Sequence, residues 1–212
     1  MEKYPGWSPY NYCLGNSLRY IDPDGMWVAS TDSSGNIIVT YEEGDTYEDL
    51  YSQLGMNIEQ FAEWITKQGI ILSLDGNGMS FNITNFVLKQ NKFSVDNNMM
   101  NCFSSTLYGT GSLSEEMPIQ GGLKFTQESQ NIFGFEGSKQ AQIGSMVTWQ
   151  DNFGITHHSA IYVLKGKDGT EYYYGRPGPN SDVTVQTSRN TSKLYPNFQK
   201  TFLRYPFAKP KF

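Results

Sequence analysis

The side chains best suited to chemistry in this chain are one thiol and two neighbouring imidazoles. Cys102 lies in the stretch NCFSSTLY, and both histidines of the sequence, His157 and His158, lie in HHSAIYV. A thiol acts as a nucleophile in its thiolate form, which a helix N-terminus or a nearby imidazole stabilises by lowering the thiol pKa from about 8.5. A cysteine followed along the chain by a histidine therefore predicts thiol chemistry with an imidazole as the base.

Three roles are open to Cys102: nucleophile, small core residue or half of a disulfide with Cys13. Core packing is the common role of a single cysteine, and a bridge is the weakest of the three because Cys13 belongs to a separate turn-rich motif. The Asp and two Asn at 96–98 are capping residues and predict a helix that starts within a residue or two of Asn101. Unpaired amides at a helix start favour a thiolate, so we predict a nucleophile with a lowered pKa.

The two histidines cannot both face the thiol, because adjacent residues of a strand point to opposite faces. His158 shares its face with Ala160 and His157 shares its face with Ser159, so the residues alone leave the choice open. Adjacent imidazoles could also belong to a zinc or nuclease site, but the sequence holds no HExxH or CxxC motif. We therefore expect no metal ion and no organic cofactor.

The bulk composition argues against several classes of function. The 212 residues carry 16 basic and 21 acidic side chains, a formal net charge of −5, which leaves no basic face for nucleic acid. The sequence has no run of about 18 apolar residues to span a membrane and no signal peptide at its N-terminus. We expect a protein that is made in the cytoplasm and secreted by a dedicated export system.

Hydrophobic periodicity in the first half predicts a hairpin followed by two helices. Apolar and polar residues alternate on both sides of residues 34–36, which is typical of a β-hairpin. Helical spacing follows in residues 42–70, with capping residues at Asp45 and Thr46, and residues 74–83 can supply a closing strand. The second helix is predicted to face the core through one stripe of residues: Ile58, Phe61, Ala62 and Ile65.

The second half predicts three strands after a long insertion. Residues 110–143 are rich in Gly, Ser and Gln, which is typical of an insertion. Strands are then predicted at 146–149, 158–164 and 171–174, the last two joined by a turn at 166–169. Together with the helices, these strands predict an α+β fold.

One N-terminal motif resembles a known family. The stretch SPYNYCLGNSLRYIDPDGMW, residues 8–27, is similar to the closing motif of the Rhs repeat-associated core, in which a shell of Tyr-Asp repeats ends and a variable effector begins. The resemblance implies that residues 1–27 close such a core and that the rest is the effector tip. It also implies three partners: an Rhs shell, a secretion machinery and an immunity protein.

Residues 28–84 resemble a hairpin joined to a LysM module. The match rests on the GDT triplet at 44–46, before the first helix, and on the Leu-Gly break at 54–55, before the second. Because these residues shape the fold, the resemblance implies a small LysM-like element more than a glycan-binding site. A structural spacer is an equally good interpretation.

Residues 85–212 resemble the NlpC-like branch of the papain-like cysteine peptidases and amidases. The stretches NCFSSTLY, GSMVTW and HHSAIYV follow the order of that family: a cysteine at a helix start, a Gly-led strand and a His-led strand. The resemblance implies a helix packed on an antiparallel sheet, with Cys102 as the nucleophile and His158, rather than its neighbour, as the base. The chain departs from the family in having Asn-Cys-Phe for Asp-Cys-Ser, and Ser145 where Asp is common.

A third polar group normally orients the imidazole of such a site. On the same resemblance it falls within TEYYYGRPGPN, where no residue matches the family outright. Pairing across the hairpin makes Arg176 and Asn180 reachable from His158, and Glu171 less so. All three stay open as candidates.

Together, the resemblances imply a peptidoglycan amidase or endopeptidase that acts as a toxic tip in the envelope of competing bacteria. Two other functions stay open. The same thiol could cleave or deamidate a protein target, or the domain could be a non-catalytic binding or structural module.

Overall fold

The computed structural model describes residues 27–72, 79–93, 100–119, 122 and 125–204, and this part of the chain folds as α+β with two antiparallel sheets. The elements of the first half are β1 (Val28–Thr31), β2 (Ile37–Thr40), α1 (Tyr47–Gln53), α2 (Ile58–Gln68), β3 (Ser80–Asn82) and α3 (Thr84–Val87). Those of the second half are α4 (Cys102–Gly109), α5 (Phe125–Phe133), β4 (Glu136–Ser138), β5 (Met146–Gln150), β6 (Thr156–Lys165), β7 (Glu171–Gly175), β8 (Thr184–Thr187), α6 (Ser188–Leu194) and β9 (Gln199–Arg204). Within these ranges, no helix has the length and apolar character needed to cross a membrane.

The small sheet has the order β1-β2-β3, and its first two strands form the predicted hairpin. The turn closes because a carboxylate oxygen of Asp32 accepts hydrogen bonds from the amides of Ser34 and Asn36, each at 2.9 Å. Gly35 supplies the positive φ of 79° that the turn requires. The hairpin prediction is confirmed.

Two helices connect β2 to β3 as predicted, but the buried stripe of α2 is shifted. Phe61 and Ile65 are buried, whereas Ile58 is 66% exposed and Ala62 is also exposed. The stripe that faces the core consists of Phe61 and the residues three and four positions later, Trp64 and Ile65. The ring of Trp64 lies against aromatic rings of β3 and α3. The prediction was wrong at Ile58 and Ala62 because those rings select the side of the helix that carries Trp64.

The N-terminal element and the large sheet share one hydrophobic core. Buried side chains of the element, among them Trp27 and Phe61, belong to the same cluster as Ile161 and Tyr174 of the large sheet. A hydrogen bond crosses the same boundary, from the Tyr174 hydroxyl to the Gly35 carbonyl at 2.8 Å. The element is therefore packed into the sheet that carries the second half of the chain.

The large sheet has the strand order β4-β9-β5-β6-β7-β8. The three predicted strands are present as β5, β6 and β7, each longer than predicted. The stretch 110–143, predicted to be an insertion, contains α5 and β4, and the sequence analysis also missed β8, α6 and β9. Strand β9 enters the sheet between β4 and β5, a distant pairing that local periodicity does not reveal.

Helix α4 packs on β6, so the predicted contact between a helix and an antiparallel sheet is present. The two elements approach closely at Gly109, where a Cβ atom would lie 2.5 Å from Cδ1 of Ile161. The Ser159 hydroxyl donates to the Cys102 carbonyl and contacts the Thr106 hydroxyl, each at 3.1 Å. Ser159 and Ile161 thus face the helix. His158 and Ala160 alternate with them along the strand and face the other side of the sheet.

Some predictions concern residues outside the described ranges. These are the Rhs-like motif over residues 8–26 with its Cys13, the start of the closing strand at 74–78, and the capping residues at 96–98.

Candidate functional site

Helix α4 begins at Cys102 because Asn101 caps it. The side-chain oxygen of Asn101 accepts hydrogen bonds from the amides of Phe103 and Ser104, each at 3.0 Å. The Ser104 hydroxyl in turn accepts from the Asn101 amide at 3.0 Å, which completes a capping box. The prediction of a helix start within a residue or two of Asn101 is confirmed.

The first residue of α4 lies beside the part of β6 that precedes its pairing with β7. Backbone amides along a strand point alternately toward the two neighbouring strands. The Tyr162 amide donates to a carbonyl on the β5 side. The Ser159 amide, three residues earlier, is therefore directed toward β7. Strands β6 and β7 pair from Ile161 and Tyr174 onward, toward the turn that connects them. Beyond that pair, the backbone of Ser159 is close enough to the Cys102 thiol to lower its pKa.

Burial raises the pKa of the Cys102 thiol to about 11, although hydrogen bonds from the backbone of Ser159, Cys102 and Phe103 lower it. The amides at the helix start therefore act in the predicted direction. The prediction of a lowered pKa was nevertheless wrong, because Cys102 is only 6% exposed and desolvation of the thiolate outweighs those amides. The thiol is protonated at neutral pH.

His158 lies on the face of β6 opposite α4. Its ring centroid is 5.1 Å from that of Trp149 and 5.2 Å from that of Tyr195, and the residue is 1% exposed. Its Nε2 atom is buried and has no hydrogen-bond partner among the described residues. Burial lowers the pKa of His158 to about 4, so the imidazole is neutral at physiological pH.

Cys102 and His158 lie on opposite faces of β6. Cys102 is on the face covered by α4, where its carbonyl accepts from the Ser159 hydroxyl at 3.1 Å. His158, which directly precedes Ser159, is on the face that carries Trp149. Within the described ranges no hydrogen bond joins Nε2 to the thiol.

Gln186 on β8 is a site residue that the sequence analysis missed. Burial dominates the pKa of His158, and a hydrogen bond with the Gln186 side chain acts against it by raising that pKa. The amide nitrogen of Gln186 also donates to the Gly175 carbonyl at 3.4 Å, so the same side chain contacts the end of β7. The signal for Gln186 was the strand-like alternation in DVTVQT.

The three residues predicted as candidates to orient the imidazole make contacts elsewhere. Arg176 forms a two-point ion pair with Glu116, at 2.8 and 2.9 Å. The Asn180 amide donates to a carbonyl just before α4 at 2.9 Å, and Glu171 forms an ion pair with Lys200. The hydrogen bond to the imidazole comes from β8 instead.

His157 occupies a bulge in β6. The register shifts between the pairs Trp149–His158 and Gln150–Thr156, so His157 is an extra residue with no partner in β5. Its ring nitrogen Nε2 lies 2.9 Å from the Asp151 carboxylate, and its side chain is 40% exposed. The bulge thus places one histidine at the surface and its neighbour in the interior.

The site offers three groups for chemistry: a neutral thiol, a neutral imidazole with a basic Nε2, and the first amide of α4. Among the described residues, no group of three or more His, Cys, Asp or Glu side chains is arranged to hold a metal ion. A thiol and an imidazole are the groups that addition to a carbonyl group uses, and their pKa values of about 11 and about 4 keep the proton on the sulfur.

No protein-family model, curated protein or solved structure matches this chain significantly. The Rhs-like, LysM-like and NlpC-like resemblances of the sequence therefore stay predictions.

Proposed function

We propose that this chain is a cysteine-dependent hydrolase of amide bonds, with Cys102 as the nucleophile and His158 as the general base. One observation carries the proposal. The Cys102 carbonyl accepts a hydrogen bond at 3.1 Å from the hydroxyl of Ser159, which directly follows a buried histidine, and in the described structure the Nε2 atom of that histidine has no partner. Leaving a buried polar atom unpaired costs about 1–3 kcal/mol, and a catalytic role is one explanation for such an atom.

Both groups start uncharged, which determines the first step. A thiol pKa of about 11 and an imidazole pKa of about 4 favour the neutral pair over a standing thiolate–imidazolium pair. In the proposed mechanism, Nε2 of His158 accepts the thiol proton while the sulfur of Cys102 bonds to the carbonyl carbon. The carbonyl oxygen then becomes an oxyanion.

The amide of Cys102 is the backbone donor best suited to that oxyanion. Asn101 caps the amides of Phe103 and Ser104, whereas the first amide of the helix interacts with the thiol itself, and in the proposed step it turns to the oxyanion that forms beside the sulfur. His158 next gives its proton to the leaving nitrogen as the C–N bond breaks. Water, deprotonated by the same imidazole, then releases the acyl group from the sulfur and restores the thiol.

Peptidoglycan is the substrate class that we propose. The support comes from the sequence: the NlpC-like order of the Cys102 and His158 motifs and the LysM-like residues at 44–46 and 54–55 are both typical of cell-wall enzymes. The order β2, α1, α2, β3 agrees with a LysM-like element. On the same basis we propose that the chain acts as the toxic tip of an Rhs-type effector, with an immunity protein in the producing cell.

Digestion of purified sacculi tests this proposal. Wild-type protein is expected to release muropeptides with newly formed amine or carboxyl ends, detected by mass spectrometry. The Cys102→Ser and His158→Gln variants are expected to lose about 100-fold or more of the rate. His157→Gln is the matched control because its imidazole is exposed and pairs with Asp151. Absence of any Cys102-dependent product from sacculi would contradict the substrate class.

A protein substrate is the second candidate, favoured by the way the LysM-like element is held. The Gly44 carbonyl, within the GDT triplet, accepts a hydrogen bond from Lys167 Nζ, and the same lysine pairs with Asp49 at 3.2 Å. These bonds fasten the start of α1 to the turn between β6 and β7, as in a structural part of the domain. Quantitative mass spectrometry of bacterial extracts treated with wild type or Cys102→Ser distinguishes the two, since cleaved or deamidated proteins together with intact sacculi indicate a protein target.

A further inference from the structure

The carbonyl group of Cys102, at the start of α4, is surrounded by three buried hydroxyl groups. It accepts hydrogen bonds from the hydroxyls of Ser105 at 3.1 Å, Thr106 at 2.7 Å and Ser159 at 3.1 Å. All three of these residues are 0% exposed. A carbonyl oxygen has two lone pairs, so the three donors fill its acceptor capacity and fix the peptide group of the residue that carries the thiol.

Of the three hydroxyl residues, only Ser159 lies outside the helix. Ser105 and Thr106 belong to α4, so their bonds to the Cys102 carbonyl move with the helix. Ser159 lies on β6, and its hydroxyl is also 3.1 Å from the Thr106 hydroxyl. Among the described residues, the side-chain hydrogen bonds between α4 and β6 all come from Ser159. The polar attachment of the helix start to the strand therefore depends on one hydroxyl group.

The far end of the helix meets the same strand through an apolar contact. A Cβ atom on Gly109 would lie 2.5 Å from Cδ1 of Ile161, so the helix backbone touches the strand there. Ser159 and Ile161 are two residues apart on β6 and contact opposite ends of α4. Because both ends are held, the helix cannot slide along β6 without breaking one of the two contacts.

The strand residue that holds the helix is itself fixed by its neighbours. Ser159 lies directly opposite Thr148 of β5. The Thr148 hydroxyl accepts from that of Thr126 on α5 at 3.0 Å, and Thr126 also contacts the Thr156 hydroxyl on β6 at 3.0 Å. These threonines are all buried. Ser159 is thus part of a rigid section of the sheet.

We propose that Ser159 is a positioning residue, which holds the start of α4, and with it the Cys102 thiol, at a fixed place along β6 relative to His158. Its effect on turnover rests on the proposed hydrolase function. His158 directly precedes Ser159, so a shift of the helix along the strand changes the separation of the thiol and the imidazole. A misplacement of about 1 Å lowers turnover by up to about 100-fold. In the proposed steps, no bond forms or breaks at the Ser159 hydroxyl.

Kinetics of three variants test this role. Ser159→Ala removes the hydroxyl and should lower kcat by about 10- to 100-fold with little change in KM, because substrate binding does not use that hydroxyl. Ser129→Ala is the matched control: Ser129 Oγ is buried and has no hydrogen-bond partner in the described structure, so kcat should stay unchanged. Thr46→Ala, which removes the cap of α1, controls for a general loss of stability and should also keep kcat.

Hydrogen exchange of α4 gives a readout that does not need hydrolysis. Loss of the bond between the helix start and the strand should make the amides of Ser105 and Thr106 exchange about 5- to 10-fold faster in Ser159→Ala. Amides of α2 serve as the internal reference and should keep their wild-type rate. Ser129→Ala should leave both helices unchanged, and urea unfolding reports whether each variant folds.

Each outcome decides between the two proposals. Lower kcat together with faster α4 exchange, in Ser159→Ala alone, supports the positioning role. Unchanged α4 exchange in a folded Ser159→Ala variant overturns it, whatever the turnover, as does an equal loss of kcat in Thr46→Ala; both results leave the hydrolase proposal intact. Faster α4 exchange in Ser159→Ala, with no amide hydrolysed by wild type, contradicts the hydrolase proposal and supports Ser159 as the residue that places the thiol.

Discussion

The guanidinium group of Arg176 and the carboxylate of Glu116 meet in the interior through two N–O contacts of 2.8 and 2.9 Å, with side chains 0% and 1% exposed. The Arg176 amide also donates to the Ser105 hydroxyl, which donates to the Cys102 carbonyl at 3.1 Å. This ion pair therefore ties the segment after α4 to the end of β7, beside the turn of helix that carries the thiol.

Breaking this pair should strongly destabilise the protein. Glu116→Gln removes the carboxylate that pairs with the buried Arg176 guanidinium at two points, so we expect the free energy of unfolding in urea to fall by about 3–5 kcal/mol. Glu136→Gln is the matched control, since Glu136 pairs with Arg204 at the surface at 3.3 Å and should change stability by less than about 1 kcal/mol. Equally small effects of the two substitutions would contradict the importance of the buried pair.

His158 should make stability depend on pH. Because burial lowers its pKa from 6.5 to about 4, the unfolded chain binds a proton at pH values where the folded protein does not. The free energy of unfolding is therefore unaffected by His158 above pH 6.5. It decreases by about 3 kcal/mol as the pH falls from 6.5 toward 4, because the unfolded chain gains the proton first. Urea unfolding from pH 7.5 to 4 measures it.

His158→Gln should flatten this part of the stability curve, and His157→Gln should leave its slope unchanged. A slope that persists in the His158 variant would assign the effect to another group.

Gln186 should control the imidazole that it contacts. In Gln186→Leu, His158 loses the side chain that raises its pKa, so that pKa should fall further, and turnover in the proposed reaction should fall by about tenfold or more. In Gln186→Glu, the introduced carboxylate should raise the pKa of His158 above its value of about 4. Nitrogen-15 NMR of the imidazole reports both changes, and an unaltered His158 spectrum in the Leu variant would rule out the contact.

Asn101 should affect both stability and the thiol. Asn101→Ala removes the cap of α4 together with the bond from its amide nitrogen to the Ile119 carbonyl at 2.6 Å, so we expect a loss of about 1–2 kcal/mol in urea. The rate of Cys102 alkylation should change as well, because the helix start positions the thiol. Thr46→Ala, which removes the cap of α1, should cost similar stability but leave that rate unchanged. Identical alkylation rates in both variants would show that the cap does not position the thiol.

The parts that the sequence predicts are those encoded locally. The start of α4 depends on Asn101 and Ser104, three positions apart, and the strands β5, β6 and β7 show their own alternation. Gln186 and Glu116 were missed because each contacts a partner that is distant in the sequence. Such contacts form only in the tertiary fold, and no local spacing of residues predicts them. The pKa of Cys102 was missed for the same reason: the sequence locates the helix amides, but burial depends on the packing of the whole helix.

The burial of Cys102 also bears on oxidation. Peroxide attacks thiolates much faster than thiols, and a thiol pKa of about 11 leaves about one thiolate in ten thousand at pH 7. The proposed nucleophile should therefore resist oxidation in the surroundings that the proposed export would bring. In the proposed mechanism it loses its proton to the imidazole while it adds to a bound carbonyl group.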